Sequence, residues 1–128
     1  MLSPKRRLMT GWGNKVDYTD VTDGSSNTFL AGEMHIPRGG LNIAPYNGSI
    51  FNGNELDGHS RIGGAGVPIL TQNDDAVVSF LGFGSVHPGA CNFVRADGST
   101  ASISNGLDTV VLANLCHRSD GEVTGDVN

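Results

Sequence analysis

The chain of 128 residues has few aromatic side chains, few cations and only two cysteines, and it has no long apolar run. Aromatic residues make up 6% and hydrophobic residues 38%, against 19 glycines, which predicts a single loop-rich β domain with a small core. The net charge of -5, with no basic stripe, argues against a nucleic-acid or anionic-membrane binder. No segment is apolar enough to span a bilayer or to act as a secretory signal.

Recognisable catalytic patterns are also missing. No phosphate loop or dinucleotide fingerprint occurs, and the histidines are scattered singly, without the spacing of a zinc site. Ser85, His87 and Asp97 supply the residue types of a hydrolase triad, but no Gly-x-Ser-x-Gly elbow is present and Asp97 is better explained as a turn residue. We therefore expect a protein that is not an enzyme.

The most informative stretch runs from residue 83 to 103, FGSVHPGACNFVRADGSTASI. Residues 90–96 and 99–104 alternate in character around Asp97-Gly98, a dipeptide that suits a two-residue hairpin turn. His87-Pro88-Gly89 forms a stiff corner before the first strand. We expect the His87 side chain to hydrogen-bond to backbone or to Asp97 and so to hold this corner against the hairpin; the alternative is that it contacts a metal or a ligand.

This stretch resembles the C-terminal signature of a large bacterial prepilin-associated family of unknown function, whose members look like pseudopilins. The similarity rests on a motif in which a His is followed by nine residues and then by Asp-Gly. The matching positions are His87, Pro88, Gly89, Asn92, Phe93, Asp97 and Gly98. Residues 22–33, TDGSSNTFLAGE, are similar to the family's second common block, and residues 112–123 resemble its closing segment.

The resemblance implies a pseudopilin-like extracytoplasmic head that serves as a structural or assembly subunit of the cell envelope or secretion apparatus. Its expected partners are copies of itself or envelope proteins, and it would meet a membrane only through an N-terminal helix that this sequence lacks. We divide the chain into an arm (1–16), one β-rich domain (17–123) and a tail (124–128).

A second hypothesis concerns residues 34–70, where Gly and Pro turn dipeptides are dense. Tyr46, Phe51, His59 and Arg61 together have the composition of a groove for a small solute or a carbohydrate. Alternatively, the segment is a surface insertion that packs a few apolar anchors onto the sheet.

Calcium is the one cofactor for which the sequence offers ligands. Asp20, Asp23, Ser25 and Asn27 bring several oxygens into one loop, although not at EF-hand spacing. Asx turns, in which Asp and Asn side chains bond nearby backbone N–H groups, explain the same residues without a metal.

The predicted fold class is α+β: mainly antiparallel sheet, one C-terminal helix and long Gly-rich loops. Short strands are expected at residues 28–31, 48–51 and 67–70, while residues 73–84 fit either a helical turn or a buried strand. Asp108 is a good N-cap for a helix that runs on to His117 and Arg118 and packs across the hairpin. Cys91 and Cys116 would then form either a disulfide between helix and sheet or a buried free pair.

Overall fold

The computed structural model describes residues 16–41, 43, 60–64, 66–71, 81–122, 124 and 127. Within them the chain is mainly antiparallel sheet followed by one helix, which confirms the predicted α+β class. A 3-10 turn at Tyr18–Asp20 comes first. The strands are β1 (Phe29–Gly32), β2 (Leu70–Thr71), β3 (Gly84–Ser85), β4 (Ala90–Arg95) and β5 (Thr100–Ser104), and the helix is α1 (Thr109–Cys116).

The main sheet has three strands in the order β1-β4-β5, with antiparallel pairing throughout. The ladder between β4 and β5 is regular, whereas β1 shifts register between Phe29 and Ala31, so that Leu30 forms a bulge. β2 and β3 make a separate two-stranded parallel pair. The strand predicted at residues 28–31 is therefore present, one residue later.

The hairpin turn differs from the predicted two-residue type. The Gly98 N–H donates to the Arg95 carbonyl at 2.9 Å, and Gly98 has a φ of 86°. The turn thus spans Ala96 and Asp97, and Gly98 occupies the left-handed position that follows in a three-residue loop. Loop contacts favour this form, because Ala96 N–H donates to the Thr28 carbonyl and Asp97 N–H to the Ser25 carbonyl.

Helix α1 begins where the sequence predicts. The Asp108 side chain accepts hydrogen bonds from the N–H groups of Val110 at 2.7 Å and Val111 at 3.4 Å, which satisfies two donors of the first turn. The helix ends at Cys116, so His117 is its C-cap rather than its last turn. Leu112 and Leu115 are its buried residues and lie in the same core cluster as the hairpin, so the helix packs on the sheet as expected.

One face of the sheet builds the core. β5 alternates exposed and buried residues, so Ala101 and Ile103 point inward with Cys91 and Phe93 of β4. The Phe93 ring stacks on Phe29 at 4.3 Å between centroids and meets Phe83 edge-on at 5.1 Å. The opposite face carries small, mostly polar side chains, including Asn92, Thr100 and Ser102, and faces solvent.

Several predictions concern residues outside the described part: the strand at 48–51, most of residues 73–84 and the arm before residue 16. Near the predicted strand at 67–70, Val67 forms an isolated bridge with Gly64, and β2 begins at Leu70. In the described ranges, no helix combines the length and apolar character needed to cross a membrane.

Candidate functional site

Glu33 joins the two sequence blocks that carry the resemblance. It follows β1 directly, and its N–H donates to the Asn92 carbonyl of β4 at 3.1 Å. Its carboxylate returns to the same strand, because Oε2 accepts the Asn92 N–H at 2.7 Å, while Oε1 lies 3.1 Å from His87 Nε2. The end of the first block and the His-Pro-Gly corner of the second therefore meet at one carboxylate.

His87 sits at a corner that its neighbours hold in place. The Ser85 hydroxyl accepts the His87 N–H at 3.0 Å and donates to the Ala90 carbonyl across the turn. Gly89, with a φ of 75°, turns the chain into β4. The prediction that His87 holds the corner by a hydrogen bond fits this geometry, but its partner is Glu33 rather than Asp97.

The Ser85, His87 and Asp97 combination does not form a triad. The His87 imidazole faces Glu33, and Asp97 lies at the far end of the hairpin, where its Oδ1 accepts the Ser99 N–H at 2.8 Å. This hydrogen bond lowers the pKa of the Asp97 carboxyl. Asp97 is thus a turn-stabilising residue, as its place in the sequence suggests.

Asp23 links the first block to the segment after helix α1. Its side chain is 5% exposed, and its two oxygens accept the N–H groups of Asp120 at 2.8 Å and Gly121 at 2.9 Å. Burial by itself raises the pKa of this carboxyl, but the N–H groups of Gly121 and Asp120 outweigh burial and the pKa is lowered. The Asp23 carboxylate therefore holds the C-terminal segment against the first block by two hydrogen bonds.

The candidate calcium ligands are used in separate local contacts. The Asp20 carboxylate accepts the Asp17 N–H at 2.8 Å, the Asn27 amide donates to the Asp23 carbonyl at 3.1 Å, and the Ser25 carbonyl accepts the Asp97 N–H at 3.1 Å. Among the described residues, no three His, Cys, Asp or Glu side chains are grouped so that they could hold a metal ion. The Asp20 and Asn27 side chains thus bond to nearby backbone groups, whereas Ser25 contributes a backbone carbonyl to the hairpin turn.

Of the predicted groove, only Arg61 belongs to the described chain. Its guanidinium donates to the Ser60 carbonyl at 2.7 Å and contacts the Met34 sulfur at 3.2 Å. Tyr46, Phe51 and His59 lie outside the described residues. The geometry of that groove therefore stays a prediction.

Cys91 and Cys116 are both free thiols, so the structure does not contain the disulfide that was one of the two predicted alternatives. Cys91 is fully buried beneath the sheet, and burial raises the pKa of its thiol to about 12. Burial likewise raises the pKa of Cys116 to about 11. Both side chains are protonated near neutrality and behave as small apolar groups rather than nucleophiles.

The outer face of the sheet carries a feature that sequence reasoning missed. Beside Glu33 and Asn92, a shallow open depression of about 620 Å³ extends over Val94, Thr100 and Ser102. The alternation of small polar residues along β5 and its predicted pairing with β4 indicated part of this face, but the pairing of β1 with β4, which adds Glu33, was not predicted from the sequence.

The polar side chains around His87 are bonded to one another or to the backbone. The Ser85 hydroxyl, the His87 imidazole and the Glu33 carboxylate each bond to another part of the same site, and these bonds join strand ends and the corner. Such an arrangement fixes the relative position of the strands and leaves hydroxyl, amide and carboxylate edges for recognition.

The sequence model of the bacterial family described as "Protein of unknown function (DUF1559)" matches residues 2–109. This range contains both the block at 22–33 and the motif from His87 to Gly98, whereas residues 112–123 lie beyond it. No curated protein and no solved structure matches the chain.

Proposed function

Because the chain belongs to the DUF1559 family, we propose that it is a non-enzymatic assembly subunit, a pseudopilin-like extracytoplasmic head that works by association with itself or with envelope proteins. The observation that carries the proposal is the internal use of the motif. The His87 imidazole bonds to the Glu33 carboxylate, that carboxylate bonds to the Asn92 N–H, and the Ser85 hydroxyl bonds to the Ala90 carbonyl, so these groups join strand ends within the fold.

The one-sided sheet adds support. Helix α1 packs on the face that holds Phe93 and Ile103, while the opposite face presents small uncharged side chains over a broad area. A face of this kind suits packing against another protein surface, because its small side chains allow close approach and its hydroxyl and amide groups can hydrogen-bond to a partner.

Two measurements on the native protein test this proposal. Protease added to intact cells with a permeabilised outer layer should cleave the protein, and chemical crosslinking in cells should give species containing more than one copy or an envelope protein. Protection until the cytoplasm is opened, together with a crosslinking pattern of monomer alone, would contradict it.

The depression on the outer sheet face favours a second candidate, a module that binds a small solute or glycan. Glu33, Asn92, Thr100 and Ser102 give it carboxylate, amide and hydroxyl groups of the kind that hydrogen-bond sugars. A saccharide that raises the melting temperature would support binding. Loss of the rise in Thr100→Ala would place the ligand here, and loss in Tyr46→Ala or Arg61→Ala would place it in the predicted groove; if no saccharide has an effect, we would abandon this candidate.

A further inference from the structure

In the described part of the chain, strand β5 is an edge of the main sheet. It pairs with β4 on one side, and no described strand lies on the other. The Arg95 N–H donates to the Ser99 carbonyl at 2.8 Å, and the Asn105 N–H donates to the Gly89 carbonyl at 3.0 Å. Because every second residue of an antiparallel strand bonds to the same neighbour, the odd-numbered residues of β5 are the ones that bond to β4. It follows that the backbone groups of Thr100, Ser102 and Ser104 point away from β4, and all three residues are exposed.

The other edge of the sheet is protected. β1 is bulged at Leu30, and the chain after it is covered, because the Glu33 carbonyl accepts the Gly84 N–H at 3.0 Å and His35 N–H donates to the Gly82 carbonyl at 3.3 Å. Strand β5 lacks three devices that protect sheet edges, since the sequence TASIS contains no charge, no proline and no bulge. An edge like this can accept a further strand.

We infer that β5 pairs antiparallel with β5 of a second copy of this chain, about a two-fold axis at Ser102. This arrangement places Ser102 opposite the same residue of the second copy and Thr100 opposite Ser104. Thr100 and Ser102 offer both N–H and carbonyl to the second copy, and Ser104 offers its N–H, whereas the Ser104 carbonyl also accepts the Leu107 N–H at 3.0 Å and would have to accept a second bond. Facing residues point to the same side, and the two cores therefore lie on one side of a six-stranded sheet, each under its own helix.

The neutral, self-complementary character of β5 favours a second copy as the occupant. The chain has a net charge of -5, but β5 itself is neutral, so two copies can meet here without placing like charges directly opposite each other. A second copy also offers the same strand length and the same unsatisfied groups, which a closed symmetric pair requires. Five residues per strand bury little area, so we expect weak association that strengthens with salt as the net repulsion is screened.

This inference rests on the proposed assembly role and identifies β5 as the surface through which copies associate. It can be tested on the chain of residues 1–128. Sedimentation from about 10 μM to about 1 mM should show a monomer–dimer equilibrium. Ser102→Pro removes one outward N–H without touching the β4 ladder, and it should weaken dimerisation at least about tenfold. Ser102→Lys should weaken it as well, because two cations would meet at the axis, whereas the control Ser102→Thr should dimerise normally.

Amide NMR identifies the surface independently. The Thr100 and Ser102 amide signals should shift with protein concentration, while those of Ala101 and Ile103, bonded to β4, should not. A chain that stays monomeric throughout, or a folded Ser102→Lys variant that dimerises like the parent, would overturn the inference. Assembly of the native protein in cells alongside such a result would leave the proposed function standing, so the two failures can be told apart.

Discussion

At the scale of single residues, carboxylates hold distant parts of the chain together. Glu33 connects β1 to Asn92 and His87, which are 59 and 54 residues away, and Asp23 connects the first block to Asp120 and Gly121. Each carboxylate accepts two hydrogen bonds, and at least one comes from a backbone N–H that would otherwise lack a partner. Charge-assisted bonds of this kind are stronger than neutral ones.

We predict that Glu33→Ala lowers the free energy of unfolding by about 1–2 kcal/mol, because the Asn92 N–H loses its acceptor. His87→Ala should cost less than about 1 kcal/mol, since its side chain is 53% exposed and its contact with Glu33 resembles a surface ion pair. Urea unfolding measures both values.

The matched control is Glu122→Ala, which removes an exposed carboxylate that has no side-chain bond in the described structure. Its unfolding should be close to that of the parent. If Glu33→Ala were no more harmful than Glu122→Ala, or milder than His87→Ala, the role assigned to Glu33 would be wrong.

Asp23 should make the attachment of the C-terminal segment acid-sensitive. Its pKa in the folded protein is lowered from the ordinary 3.8, so the unfolded chain takes up the proton first as the pH falls. The stabilisation is therefore complete above 3.8 and is lost as the pH drops through the lowered folded value. Hydrogen exchange at the Asp120 and Gly121 amides should accelerate over this range, beyond the intrinsic effect of pH.

Asp23→Asn is the control, since its amide oxygen can keep one of the two N–H bonds but does not titrate, so its exchange can be faster at every pH without the acid-induced rise. Asp97 also has a lowered pKa, so the global stability curve would mix the two carboxyls, whereas the amides of residues 120 and 121 report on Asp23. The same acid-induced acceleration in Asp23→Asn would contradict this account.

At the scale of elements, local signals in the sequence were sufficient for the hairpin and the helix. The Asp108 cap and the apolar spacing of Leu112 and Leu115 define α1, and alternation in residues 90–104 defines β4 and β5. The turn type was wrong because Asp97-Gly98 fits both a two-residue and a three-residue loop. The choice depends on bonds from the loop to Thr28 and Ser25, which no local pattern records.

The end of β1 depends on a close packing contact that requires glycine. A Cβ on Gly32 would lie 2.5 Å from the Phe93 ring and 2.9 Å from the Phe83 ring. We predict that Gly32→Ala destabilises the fold by about 1–3 kcal/mol, because both rings must move within a packed core. Thermal unfolding followed by circular dichroism checks this.

Gly106→Ala is the comparison, because the nearest atom to a Cβ there is the Ser104 hydroxyl at 3.6 Å. This change should alter stability by no more than about 0.5 kcal/mol. Equal effects at the two positions would show that the contact at Gly32 does not limit the packing of the sheet.

At the scale of the whole molecule, the sequence indicated which segments form the site, but it did not predict which of them contact one another. Glu33 stood within a recognised block, but its partners are more than fifty residues away, and nothing in the local pattern specifies that pairing. The Asp23 oxygens accept hydrogen bonds from residues 120 and 121, again a long-range contact that the pattern of residues 20–27 does not specify. Long-range pairing was the part that sequence reasoning could not supply.

The central claim is that this chain is the head of an anchored assembly subunit, and the most direct test is the N-terminus of the protein isolated from its own cells. Mass spectrometry of the membrane and secreted fractions should find, ahead of Met1, an apolar segment that has been processed at its start. A mature protein that begins at Met1 and occurs only in the soluble fraction would contradict the claim and make the binding module the leading hypothesis.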